Sequence, residues 1–323
     1  MDFIALTRTE EKIDTEQDVI ILGGGPAGLT AGIYAGRNLL KTLIIEKTSV
    51  GGNAILTEKI DNYPGFPEGI TGEELAKKME TQAKKFGVKI LESDVQRIYV
   101  EGYWKIIETS NGTYRSLSLI IATGTRPRRL EVPGEDKLRG KGVSYCAVCD
   151  GAFFTGKKVA VVGGGDSALE EAIYLTKFAE DVTIIHRRDT LRAERIVQQK
   201  AFSNSKIKFL WSHIIKAIEG EKKVERLILE DLKTHEIKTF PVDGVFIYVG
   251  LIPNTELFKG ILNLDPNGFI ITDEKMQTSV PGIYAAGDVR GKVLRQLVTA
   301  VADGAVAAIE ASKFLEEINN KEE

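Results

Sequence analysis

Cysteine is nearly absent from this chain. Cys146 and Cys149 are the only two in 323 residues. A disulfide scaffold is therefore excluded for a protein of this size. A structural zinc site wants four nitrogen or sulfur ligands, usually as two spaced pairs. The three histidines, His186, His213 and His235, are scattered, so half of such a ligand set is missing. No apolar run approaches the roughly 18 residues of a membrane span. A basic surplus is lacking too: the formal net charge is −3, which leaves no footprint for nucleic acid. The opening stretch MDFIALTRTEEKIDTEQD has no apolar core and no small-residue cleavage site. No secretory signal is expected there, and the cytoplasm is the default location.

What is present is ordinary globular composition, with 43% hydrophobic and 28% charged residues. The length is that of two domains. The cysteine pair lies in CAVCDGAFF, directly before Asp150 and Gly151. That context fits a loop or a helix end better than a core strand, although two buried structural cysteines remain an alternative at this point.

The strongest motif lies elsewhere. In DVIILGGGPAGLTAGIYAGR a short apolar strand runs into Gly23, Gly25 and Gly28, followed by an alanine-rich helix. A second strand, KTLIIE, ends at Glu46, 18 residues after Gly28. Strand, glycine turn, helix, strand and acid are what a dinucleotide needs. Gly23 permits the tight turn, Gly25 lets backbone approach the pyrophosphate, and Gly28 lets helix and sheet pack. The helix N-terminus, with Pro26 and Ala27, stabilises the negative charge, and Glu46 accepts from a ribose.

The pattern recurs in KKVAVVGGGDSALEEAIYL, with Gly163, Gly165 and Ala168 in the three motif positions and Asp166 and Ser167 between them. Glu171 lies on the helix that follows. The next strand ends in His186, Arg187 and Arg188, with Arg192 just beyond. Arginines stand where the first loop has its acid. A guanidinium fork binds a ribose 2′-phosphate, so this loop is expected to hold NADPH, with NADH not excluded. This duplication is the only internal repeat. The first 17 residues and the closing EINNKEE are polar and expected to fray.

A distant segment carries a resemblance. YAAGDV, with Gly287 and Asp288, followed by Arg295, Gln296 and Leu297, resembles the second flavin motif of the two-dinucleotide-domain disulfide reductases. LIIATG, closing on Ala122, Thr123 and Gly124, resembles the segment where their first domain hands over to the second. With CAVCDGAFF, VVGGGDSALEEA and HRRDTLRA added, residues from about Asp18 to Glu316 resemble the low-molecular-weight, bacterial-type thioredoxin reductases. The address of the cysteines is the specific part. They precede Val159 by 13 residues, whereas larger glutathione-reductase-like enzymes carry theirs after the first Rossmann unit.

The resemblance implies an α/β fold with two Rossmann-like domains, the second inserted in the first and joined by a two-strand hinge. After an N-terminal extension, 1–17, the FAD domain takes 18–128 plus 255–323, and the NADPH domain takes 129–254. FAD would be held by Gly23, Gly25, Pro26, Ala27, Gly28, Glu46, Gly52, Asn53, Asn62, Ala122, Thr123, Gly124, Gly287, Asp288, Arg295, Gln296 and Leu297. Asn53 stands where the family has glutamine. NADPH would be held by Gly163, Gly165, Asp166, Ser167, Ala168, Glu171, His186, Arg187, Arg188 and Arg192.

The implied activity is reduction of thioredoxin or a thioredoxin-like disulfide protein by a cytoplasmic homodimer. The electron pair passes from NADPH through FAD to a Cys146–Cys149 disulfide. Cys149 would face the flavin, Cys146 would attack the partner, and Asp150 would serve as general acid. Nicotinamide loop and cysteines lie in one domain and both need the flavin, so that domain is expected to rotate in turnover. The competing expectations are a glutaredoxin-like acceptor, NADH as donor, and a non-catalytic redox-sensing flavoprotein.

Overall fold

A computed structural model describes residues 13–322. Most of the expected N-terminal extension lies outside the described residues. The chain forms two Rossmann-like units. One is split, its first segment ending at Thr125 and its second opening at Pro253; the other, Arg126–Ile252, is inserted between them.

The split unit begins with β1 (Glu16–Leu22), α1 (Pro26–Arg37), β2 (Thr42–Glu46), α2 (Gly72–Lys85) and β3 (Lys89–Glu92). The antiparallel meander β4 (Val95–Glu101), β5 (Trp104–Thr109) and β6 (Gly112–Ile121) follows. β7 (Thr125–Pro127) leads into the inserted unit. There the chain forms β8 (Val143–Ser144), α3 (Ala147–Asp150), β9 (Lys158–Val162), α4 (Asp166–Leu175), β10 (Asp181–His186), α5 (Arg195–Phe202) and β11 (Ile207–Trp211). A second meander, β12 (His213–Glu219), β13 (Arg226–Asp231) and β14 (Ile237–Pro241), precedes β15 (Gly244–Ile247). β16 (Leu251–Pro253) pairs with β7, so the two crossings form a two-stranded sheet. β17 (Ile283–Ala285) and α6 (Leu297–Glu322) complete the split unit.

Both units repeat one plan. Parallel strands run β3-β2-β1-β6 in one and β11-β10-β9-β15 in the other, each with a meander between the third and fourth strands. The strand that enters each glycine loop, β1 or β9, lies inside its sheet and is buried on both faces. Accordingly Val19 to Ile21 and Ala160 to Val161 have no exposed surface, and both read as continuous apolar runs. β6 serves twice: its first half pairs with β5 and its end pairs with β17.

The closing segment differs from expectation, since α6 continues as helix to Glu322. Leu315 and Ile318 on its last turns are buried, and that burial holds the polar tail in helix. No helix among the described residues is long and apolar enough to cross a membrane.

Lysine is rarely buried, and this fold buries one. Lys105 on β5 is 2% exposed. Its Nζ donates to the carbonyls of Tyr103 and Leu117, at 3.0 and 2.8 Å, and lies 5.0 Å from the centre of the Phe314 ring on α6. Burial lowers its pKa to about 8. The folded state thus penalises the charged form: the stability tied to neutral lysine is present above about 10.5 and is lost as pH falls through about 8. Lys105→Met is therefore expected to raise Tm at pH 7 relative to the parent, the gap narrowing as pH rises from 8 toward 10.5. Thermal melts across that range check it; a gap that does not change with pH contradicts it.

Candidate active site

The glycine loop of the split unit is built by sterics. Gly23 has φ +103°, and a Cβ there would meet the Ala122 carbonyl oxygen at 2.3 Å. A Cβ on Gly28 would strike the Gly23 carbonyl oxygen at 1.9 Å. Gly25 is different: a Cβ would meet only the Gly52 Cα, at 3.8 Å, so the backbones of Gly25 and Gly52 face each other across a cradle. α1 starts at Pro26 without a side-chain cap, whereas α2 has the usual one, Thr71 accepting from the Glu74 N–H at 3.1 Å. The amides at the start of α1 are left for an anion. Glu46 fixes the loop: one carboxylate oxygen accepts from the Gly24 N–H at 2.7 Å and the other from the Thr48 N–H at 3.1 Å.

Distant segments converge on this loop. The Asn62 side-chain amide donates to the Gln296 side-chain oxygen at 3.3 Å, across 234 positions. The shorter Asn53 amide donates to the Thr125 carbonyl at 2.9 Å, which ties it to the crossing strand β7. Thr123 and Asn254 clasp each other: the Thr123 hydroxyl donates to the Asn254 carbonyl, and the Asn254 amide to the Thr123 carbonyl, both at 2.8 Å. Gly124 accepts from the Asn254 N–H at 3.0 Å.

Gly287, at φ +80°, brings its backbone against Ala27. Next to it, Asp288 Oδ1 is buried and has no hydrogen-bond partner. Burial pushes this carboxyl above its ordinary range, against the pull of Lys292 and Arg295. A hydroxyl-bearing ligand would supply the donor that this buried acceptor lacks, so the residues fit a flavin dinucleotide here. Arg295 stacks 4.1 Å over the Phe269 ring and donates to the Lys292 and Arg290 carbonyls. Its Nε too is buried and unpartnered. Leu297 begins α6.

An ion cluster that the sequence did not reveal supports this segment. Asp303 on α6 accepts from the Gly287 N–H at 3.0 Å, from Lys292 at 2.8 Å and from Arg290 at 3.4 Å. All three charged side chains are largely buried. The only sequence signal was an aspartate on an otherwise small, apolar helix face.

The loop of the inserted unit repeats the design. Gly163 lies against the Tyr248 carbonyl oxygen, which a Cβ would meet at 2.5 Å. Around Gly165 a Cβ would find nothing within 4 Å, so a pyrophosphate has open access to the backbone. α4 also lacks a side-chain cap. Ala168 is buried beneath the turn, and Ser167 lies beside it in the first turn. Asp166 accepts from the Glu194 N–H at 2.6 Å and so holds the segment after β10. His186 is buried; its ring stands where a Gly164 Cβ would fall, and its Nε2 lies 3.1 Å from the Thr190 carbonyl. Burial lowers its pKa, and Arg192, Arg188 and Arg187 add to that. Arg187, Arg188 and Arg192 are all exposed to solvent, near enough to His186 for their charge to reach it. The Glu171 carboxylate lies near the Tyr248 hydroxyl and helps burial to push that tyrosine's pKa up.

The cysteines form a disulfide, with Cα atoms 5.4 Å apart. Cys146 is the N-cap of the short helix α3, and its Sγ accepts from the Cys149 N–H at 3.1 Å. The Cys146 N–H donates to the Ser144 hydroxyl at 3.1 Å and the Ala147 N–H to the Tyr248 hydroxyl at 3.0 Å. Cys149 is exposed, Cys146 and Asp150 half-buried. An amide aimed at the Cys146 sulfur favours a thiolate there once the bond is reduced.

Comparison with known proteins agrees with this geometry. Residues 17–304 match the family model described as pyridine nucleotide-disulphide oxidoreductase. A thioredoxin reductase of Bacillus subtilis (strain 168) is 48% identical over 311 residues, 96% of this chain and 97% of its own. The Lactococcus lactis thioredoxin reductase crystal structure superimposes with TM-score 0.92 at 48% identity, covering 93% of this chain and 99% of that one. The T. acidophilum thioredoxin reductase gives 0.89 at 38% identity, covering 94% and 100%. The chain belongs to the pyridine nucleotide-disulphide oxidoreductase family, in its low-molecular-weight thioredoxin reductase branch.

Removing Asp303 leaves two buried cations without their partner. Asp303→Ala is expected to cost about 3 kcal/mol in urea unfolding. Glu16→Gln, at the exposed pair with Arg115, is expected to cost less than about 1 kcal/mol. Equal losses would show that the cluster is not a buried anchor.

Proposed function

With that membership as premise, we propose that this chain is an NADPH-dependent thioredoxin-disulfide reductase. The observation that carries the reading is the redox turn. The chain's only two cysteines are joined to each other, partly accessible, with an amide aimed at Cys146 and a carboxylate directly following Cys149.

FAD, when bound, supplies a two-electron carrier between nicotinamide and disulfide. In this reading the split unit holds it. Gly25 and Gly52 would admit the pyrophosphate, Glu46 would accept from the ribose, and Asp288 would accept from the ribityl hydroxyls. Asn62, Gln296 and Arg295 would help hold the flavin end. The inserted unit holds NADPH, with Gly165 and the start of α4 at the pyrophosphate and Arg187, Arg188 and Arg192 on the 2′-phosphate. Cys146, as thiolate, attacks the thioredoxin disulfide. Cys149 then attacks the mixed disulfide, which releases the reduced partner and re-forms the Cys146–Cys149 bond. Asp150 hands a proton to the Cys146 sulfur as it leaves when the internal bond opens, and takes that proton back as Cys146 attacks the partner's disulfide.

The nicotinamide loop and the cysteines share the inserted unit, and each must reach the ring held by the split unit. Rotation about the β7 and β16 crossings meets both needs, and the proposed setting is a cytoplasmic homodimer.

Cys146→Ser is expected to abolish NADPH-dependent thioredoxin reduction while leaving flavin reduction by NADPH intact. A variant that still turns over thioredoxin would sink the reading. Arg187→Ala with Arg188→Ala is expected to raise KM for NADPH about 10- to 100-fold, from the loss of charge-assisted bonds, and to leave KM for NADH nearly unchanged. Equal effects on both nucleotides would remove the 2′-phosphate assignment.

A further inference from the structure

We infer that Tyr248 is the positioning residue of the redox turn and that Glu171 acts as its anchor, not as a nucleotide contact. This rests on the reading of Cys146 as the attacking thiol.

Tyr248 follows β15 and meets two functional segments at once. Its backbone lies on the second glycine loop: its N–H donates to the Val162 carbonyl at 2.8 Å, and its own carbonyl packs on Gly163, where a Cβ would come within 2.5 Å. Its side chain points the other way. The hydroxyl oxygen accepts from the Ala147 N–H at 3.0 Å, 101 positions earlier in the chain. The Glu171 carboxylate on α4 is near enough to act on this hydroxyl electrostatically, and the hydroxyl proton is free to point to it. Burial first, then Glu171 and Asp150, push the tyrosine pKa up, so the group stays protonated and can keep donating.

Ala147 is the first residue of α3, and the N–H groups of a first turn have no partner inside their own helix. Cys149 N–H goes to the Cys146 sulfur, Cys146 N–H goes to Ser144, and Ala147 N–H goes to Tyr248. A helix of one turn has almost no stability of its own. Its orientation, and with it the direction of the amide that stabilises a Cys146 thiolate, therefore depends on these outside acceptors. Glu171 fixes the acceptor's angle from α4. Without the Tyr248 hydroxyl, the Ala147 amide loses its partner and the Cys149 amide its aim.

The test uses the intact flavoprotein carrying Cys149→Ser, which makes Cys146 the only thiol. The rate of its alkylation by iodoacetamide at pH 7 reads the thiolate fraction. Tyr248→Phe is expected to slow alkylation about tenfold, the scale of one misdirected hydrogen bond. Glu171→Gln keeps an acceptor oxygen and is expected to slow it less than about threefold. With both cysteines present, KM for NADPH is expected to stay at the parent value in either variant. Glu171→Ala gives a second reading of the same loss if Tyr248→Phe does not fold. Alkylation unchanged by loss of the hydroxyl overturns the inference, as does a Glu171→Gln variant whose NADPH KM rises while its alkylation does not. A Cys146 unreactive in the Cys149→Ser parent would instead overturn the attacking-thiol reading.

Discussion

Backbone amides can hold a phosphate only where no side chain stands between them and the anion. That steric condition is met twice in this chain. At Gly25 and at Gly165 the space beside the Cα is open, and the helix that follows carries no side-chain cap. The neighbouring positions are crowded instead: Gly23, Gly28 and Gly163 are glycine because backbone or packed atoms already occupy the place of a Cβ. Each loop is thus a rigid turn with one deliberate opening. The repeated strand order around it follows from the same demand, since the turn must leave a buried central strand and enter a helix laid on the sheet.

The second constraint is electronic. A disulfide accepts two electrons and leaves a thiolate, which needs positive charge or N–H groups close to sulfur. Here a helix of one turn supplies the amide, and partners from β8 and from the residue after β15 hold that turn in place. The same tyrosine touches the nucleotide loop through its backbone and the redox turn through its hydroxyl. The inserted unit therefore carries its two functional segments on one packed element. In the split unit, Asp303 plays the corresponding part by tying α6 to the segment that presents Asp288.

Much of this was legible in the sequence where the physics is local. Glycine spacing, apolar strands and the exchange of an acid for arginines report requirements a few residues long. The meeting of Asn62 with Gln296 was legible only through family resemblance, because nothing within either segment announces the other. The contacts of Tyr248, Glu171, Asp303 and Lys105 could not be read at all. Each is made by side chains that the fold brings together from distant positions, and each residue type has an ordinary surface or core role. Glu171 illustrates the limit: its place on the helix after a glycine loop suggested the nucleotide, and nothing near it in sequence announced the electrostatic reach of its carboxylate to Tyr248. The packing of the His186 ring over Gly164 was equally invisible in the sequence.

In the proposed reaction, electrons from the nicotinamide end on the sulfur pair. A thiol count tests it most directly. The purified flavoprotein is mixed anaerobically with excess NADPH, quenched in acid and titrated for free thiols under denaturing conditions. Two new thiols per chain, absent without NADPH, are the predicted result. No gain in thiols while the flavin is bleached would contradict the account, because the disulfide would then stand outside the path of the electrons.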